Sequence, residues 1–116
     1  MILNKDQLIQ KLKLKTKVVK IGDDEVIISE LGANDFIELY KRKDLKTEKD
    51  DLDITKFNAA LVCLAVVDEN GNKVLTDADI SVLQNGGEIY RNLLNEVKSF
   101  CGLNGDEIKN SESSPD

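Results

Sequence analysis

Apolar and polar positions along this chain change period several times, and each change marks an element. Leu8, Ile9 and Leu12 recur at helical spacing behind Asn4-Lys-Asp-Gln7. Asn4 fits an N-cap and Gln7 the third helical position of a capping box, so a short first helix is expected. Residues 12–21, LKLKTKVVKI, shift towards a period of two and turn β-branched. Gly22-Asp23-Asp24 breaks that run and EVIISE, residues 25–30, resumes it, which together read as a β-hairpin. Adjacent apolars at Val18-Val19 and Ile27-Ile28 spoil strict alternation and suggest a bulge or partial covering of both faces. A lone hairpin is marginal in water, so this one must pack on helices or pair with another chain.

Gly32-Ala-Asn34-Asp35 opens a second helix, with Phe36, Ile37, Leu39 and Tyr40 as its apolar side. Lys41-Arg42-Lys43 then place positive charge in its last turn, where the macrodipole favours it. Residues 46–53, KTEKDDLD, read as an exposed connection between helices. Asp53 is placed to cap ITKFNAALVCLAVV, on which Ile54, Phe57, Leu61, Leu64 and Ala65 form one stripe. Beyond Ala59 this run is apolar on every side. It is either a buried helix throughout or a helix giving way to a buried strand, and periodicity does not separate the two over residues 60–67. Ala, Asn and Lys in its first half favour helix.

The last long helix is predicted within NGGEIYRNLLNEVKSFCGL. Ile89, Leu93, Val97 and Phe100 recur at three or four, and Leu94 and Cys101 widen the face. Gly102 stands where a left-handed stop is expected, with Leu103 to supply its hydrophobic contact. Residues 107–110 add at most one turn. NSESSPD, residues 110–116, is polar and acidic and is expected to be disordered. The fold class this predicts is α+β, mainly α: an N-terminal hairpin on a bundle of about four helices, in one globular domain over residues 1–109.

Composition narrows the chemistry. The 116 residues suit one domain, and with no Trp and five Phe plus Tyr the core must be Leu, Ile and Val. Histidine is absent, which removes the commonest neutral-pH base and the commonest transition-metal ligand. Cys63 and Cys101 have no CxxC partner and lie among apolar residues, so they read as buried, reduced thiols. The longest apolar run, residues 59–67, is under half a membrane span, and the charged N-terminus is unlike a signal peptide. A cytoplasmic protein is expected. Residues 1–20 hold six Lys against one Asp, or +5, whereas the remainder holds ten basic against 21 acidic residues, or −11. Without Arg or aromatics the Lys-rich segment is a poor nucleic-acid binder and reads as a solvated face complementing the acidic remainder.

The stretch VVDENGNKVLTDADISVL, residues 66–83, poses the sharpest choice. As an EF-hand from Asp68 it fails, because Lys73 occupies the sixth position where glycine is needed. As a catalytic pair, Asp77 and Asp79 lack a nucleophile, a histidine or a phosphate-binding loop nearby. As architecture it accounts for every residue. Asp68 to Gly71 is a turn, Val74 and Leu75 return to the core, and Thr76 caps a helix whose first turn holds Asp77 and Asp79. Ile80 and Leu83 then face inward. No enzyme activity, cofactor or metal is expected.

The same residues carry a resemblance. Val66, Val67, Asp68, Glu69, Gly71, Thr76, Asp77, Asp79, Leu83, Gly102 and Leu103 match a pattern found in the tail assembly chaperones of long-tailed phages and prophages. That family often shows a Leu-Val-Asp-Glu-Asp-Gly turn, a Thr-Asp-x-Asp helix start and a closing helix that ends in Asn-Gly-Leu. Residues 25–42 also resemble the family's strand and helix entry, and the likeness spans about residues 25–108. This chain has Cys101 where the family has Asn and Val74-Leu75 where Leu-Phe is common. The resemblance implies a non-enzymatic chaperone in the bacterial host cytoplasm, absent from the mature virion. Its partner would be the tape measure protein, with the tail tube protein contacted through a frameshifted longer form. Helix-in-groove binding suits such a client, which nominates Phe36, Ile37, Leu39 and Tyr40 as contacts unless they are ordinary core. Self-association through the hairpin edge is a further expectation. Two other classes stay open: a small structural or adaptor subunit kept in the particle, and a nucleic-acid-binding regulator using the Lys-rich segment.

Overall fold

The computed structural model describes residues 1–103, so the turn expected at residues 107–110, the tail at residues 110–116 and the domain limit at residue 109 lie outside the described residues. Local signals act as their residue types require. The first helix, α1 (Lys5–Leu12), opens on a reciprocal capping box. The Gln7 N–H donates to Asn4 Oδ1 at 2.9 Å and the Asn4 N–H donates to Gln7 Oε1 at 3.0 Å. None of its residues is buried.

The hairpin follows as β1 (Thr16–Ile21) and β2 (Asp24–Ser29), antiparallel and joined at Gly22-Asp23. Its register is continuous from Thr16 opposite Ser29 to Ile21 opposite Asp24, so there is no bulge. The paired apolars mean that both faces carry hydrophobic residues: Val19 and Ile28 are buried on one side, while Val18 and Ile27 look to the other. A third strand, β3 (Val66–Val67), completes an antiparallel sheet of order β1-β2-β3, with Val67 opposite Ile27 and Val66 opposite Ile28.

β3 settles the ambiguous segment. Helix α3 (Ile54–Ala65) is capped by Asp53, whose Oδ1 accepts from the Lys56 N–H at 3.2 Å and from the Thr55 hydroxyl at 2.8 Å. Those bonds hold the Asp53 carboxyl below the usual range. Seven of the twelve α3 residues are buried, and the helix stops where two β-branched residues find an open edge of β2. Hydrogen bonding to that edge outweighs the modest cost of leaving the helix.

Around α3 pack α2 (Ala33–Lys41), the short α4 (Ile80–Gln84) and α5 (Glu88–Phe100). Ile28, Leu39, Leu45, Leu61, Val62 and Val97 are the largest fully buried side chains, each contributing about 1.5–3 kcal/mol. The architecture is α+β, mainly α, with α3 and α5 packed against the sheet. Helix α5 ends in a Schellman motif: Gly102 takes φ 78°, the Leu103 N–H donates to Lys98 O at 2.6 Å and the Gly102 N–H to Ser99 O at 3.3 Å. Lys17 Nζ meets Glu96 Oε1 at 3.0 Å and ties β1 to α5. Among the described residues no helix is long and apolar enough to cross a membrane.

Several expectations change. Residues 46–53 are not a wholly exposed connection: Leu52 is half-buried and pairs with Lys46 in an isolated antiparallel bridge, just after Leu45 enters the core. Of Lys41-Arg42-Lys43, only Lys41 lies in the last turn of α2. Ile89 is exposed, although its spacing put it on the inner face of α5. Its neighbour Tyr90 takes the inward position in that first turn, packed against the core, and Ile89 is left lining the hollow beside β1.

Candidate functional site

The joint from β3 to α4 is built from short side chains bonding to nearby backbone. Asp68 Oδ1 accepts from the N–H groups of Asn70 at 2.8 Å and Asn72 at 3.0 Å. The Asp68 N–H donates to Asn72 O at 2.8 Å, which closes the turn, and Gly71 takes φ 83°, a conformation that costs glycine little. Val67 then bridges Lys73. Val74 is exposed rather than returned to the core, and only Leu75 is half-buried against it. The reason is alternation: along an extended segment neighbouring side chains point to opposite sides.

Thr76 also departs from expectation. Its hydroxyl does not accept from the backbone; it donates to Asp79 Oδ2 at 3.3 Å, and the same oxygen accepts the Thr76 N–H at 2.8 Å. The turn this creates, Asp77–Asp79, is a 3-10 helix leading into α4. Asp79 is therefore the capping acid and Thr76 the donor. Asp77 points elsewhere, to Arg42 Nη1 at 3.1 Å. Arg42 is also held by Asp44, through Nη2 to Oδ2 at 2.6 Å and Nε to Oδ1 at 3.1 Å. Hydrogen bonding to Arg42 lowers the Asp44 carboxyl below its ordinary range, and Asp44 in turn raises the guanidinium. Both closely spaced acids are thus engaged in holding the chain.

Behind this joint lies Cys63, whose Sγ donates to Thr76 O at 3.4 Å. Burial, reinforced by Asp79 and Asp77, pushes its thiol up to about 11. Cys101 is half-buried, with Sγ 3.8 Å from Ser29 O, and burial raises it as well. Both cysteines are free. Such thiols are poor nucleophiles at neutral pH, because the reactive thiolate is scarce. Among the described residues no group of three or more acidic or cysteine side chains is placed to hold a metal ion.

The nominated partner face on α2 divides. Leu39 is only 1% exposed and belongs to the core, and Phe36 is half-buried against that core. Ile37 and Tyr40 are 47% and 52% exposed. Tyr40 stacks its ring 5.1 Å from Phe57, which holds it in place while leaving one side open. Helix α2 itself is rigidly started: Asp35 Oδ2 accepts the Gly32 N–H at 3.1 Å.

Two hollows lie on the surface of the described residues. One, of about 450 Å³, lies between the β1 turn and α5 and has polar residues such as Asn92, Asn95 and Glu96 among its lining. The other, of about 420 Å³, lies where β2 meets β3 and is lined by Ile27, Val67 and Val74 together with Glu25, Asp68 and Glu69. Sequence spacing did not single out Arg42 or this second hollow. The doubled apolars of β1 and β2 were the available signal for the hollow. No family model matches this chain, and neither does a curated protein nor a solved structure.

Proposed function

We propose that this protein is a non-enzymatic tail assembly chaperone of a long-tailed phage or prophage. It binds the tape measure protein in the host cytoplasm, keeps it soluble and leaves before the virion is complete. The likeness of residues 66–83 and 102–103 to that family motivates the reading. The geometric observation that carries it is the open pair Ile37 and Tyr40, displayed on a helix that Leu39 anchors. A holdase without nucleotide chemistry works by offering apolar surface of this kind to an apolar helical client, and a net charge of −6 helps keep the complex dissolved. The joint acids support it from another side, since Asp68, Asp77 and Asp79 are engaged in turn, ion pair and cap.

Co-expression with the tape measure protein encoded just downstream tests this. Both should copurify and the client should become soluble, whereas an insoluble client with nothing copurifying ends the proposal. Mass spectrometry of purified particles separates the chaperone from a structural subunit: a chaperone is missing, and a subunit is found. A longer form made by frameshifting would carry the contact to the tail tube protein.

A further inference from the structure

From two uncovered surfaces of opposite charge, we infer that the protein self-associates by exchanging its N-terminal helix: α1 of one copy lies across the outer face of the sheet of a second copy.

The first surface is α1. Leu8, Ile9 and Leu12 form its apolar stripe, all three are exposed, and Leu12 is 68% exposed. Lys5 continues the stripe towards the N-terminus and Lys11 borders it, with Lys13 just past the end. An eight-residue helix has little stability alone in water and gains it from tertiary packing of its apolar side.

The second surface is the side of the sheet away from the helical bundle. Val18, Ile27 and Val67 are register partners across β1, β2 and β3 and make one apolar row. Val18 is 54% exposed, and Val74 stands exposed beside Val67. Glu25, Asp68 and Glu69 rim the hollow at the β3 end of that row. A sheet with apolar residues on both faces calls for a layer on each, and within one chain the outer face is covered only towards β3, where Val67 is buried and Ile27 half-buried, while Val18 stays open.

The charges match in sign and place. Lys5, Lys11, Lys13 and Lys15 against Asp6 give α1 and its link a balance of +3, so the helix is attracted to the acidic body of another molecule as well as its own. Its own sheet is hard to reach. Lys15 is fastened at the end of β1 by its N–H to Glu30 Oε1 at 2.7 Å and by its carbonyl from the Glu30 N–H at 2.9 Å. Lys13 is extended. Only residues 13–15 separate α1 from β1, so the helix has little chain with which to turn back over the face of its own sheet. Two copies that exchange the helix reciprocally satisfy both surfaces at once, with a twofold axis between them.

Sedimentation equilibrium of the full chain tests the exchange. The expected mass is twice that of the chain. Lys11→Glu with Lys13→Glu should halve it, and so should Glu25→Lys with Glu69→Lys. All four side chains are exposed, so thermal melts should show each variant folded. Combining the four reversals in one chain should restore the doubled mass, which a merely destabilised variant would not do. A monomeric wild-type chain, any other mass, or a dimer indifferent to both pairs of reversals overturns the inference. So does a monomer that binds phosphatidylglycerol vesicles through the same lysines, since α1 would then be a membrane-surface helix.

Discussion

Arg42 Nη1 lies 3.1 Å from Asp77 Oδ1, joining the end of α2 to the start of the 3-10 turn 35 residues later. The same guanidinium grips Asp44 on its other edge, so one side chain fastens two connections. Asp77 is largely exposed, which limits the strength of the pair. A double-mutant cycle of Arg42→Ala and Asp77→Asn should return a coupling of about 0.5–1 kcal/mol, measured by urea unfolding. A coupling near zero would show that the pair does not hold the joint.

Removing Asp79 should cost more than removing Asp77. Its carboxylate satisfies the Thr76 N–H and the Thr76 hydroxyl, and a lost cap costs about 1 kcal/mol. Asp79→Ala should therefore lower the melting temperature more than Asp77→Ala. Equal effects would deny Asp79 its capping role.

On α2 the neighbours Leu39 and Ile37 should behave oppositely. Leu39→Ala opens the core and should cost about 2–5 kcal/mol, whereas Ile37→Ser at an exposed site should change stability by about 0.5 kcal/mol or less. Client capture should fall with Ile37→Ser, which melts like the parent, and with Tyr40→Ser, which loses about 0.5–1.5 kcal/mol with its Phe57 contact. Undiminished capture by both would move the contact surface off α2.

Two glycines should fail for different reasons. A Cβ at Gly86 would stand 2.7 Å from the Tyr90 Cβ and 3.0 Å from Leu83 O, so Gly86→Ala forces α4 and α5 apart and should cost about 1–3 kcal/mol. At Gly102 there is open space and the obstacle is φ 78°, so alanine should cost about 1–2 kcal/mol. Gly102→Asn should recover part of that loss, because Asn tolerates the left-handed region, and Gly86→Asn should recover none. Unfolding midpoints of the four variants report the difference.

Cys63 predicts an alkaline effect. Its thiol is pushed up from 9.0 to about 11 in the folded chain, so the unfolded chain loses the proton first as pH rises. The contribution to stability is complete below pH 9 and disappears as pH rises through 11. Stability measured between those values should fall more steeply for the parent than for Cys63→Ala. Parallel slopes would mean that Cys63 titrates normally.

The chain's own spacing determined whatever closes within a few residues. The Asn4–Gln7 box, the closing Ile21–Asp24 pair of the hairpin, the Asp53 cap, the Asp68 turn and the Gly102 stop each bring together groups at most five positions apart. Polar side chains at such distances meet whatever the rest of the molecule does. Tertiary structure decided the remainder: that Val66-Val67 becomes a strand on β2, that Leu39 sinks while Ile37 stays out, and that Arg42 finds Asp77. These outcomes depend on which edge or surface another element leaves open. An apolar run states that burial is favourable without stating against what.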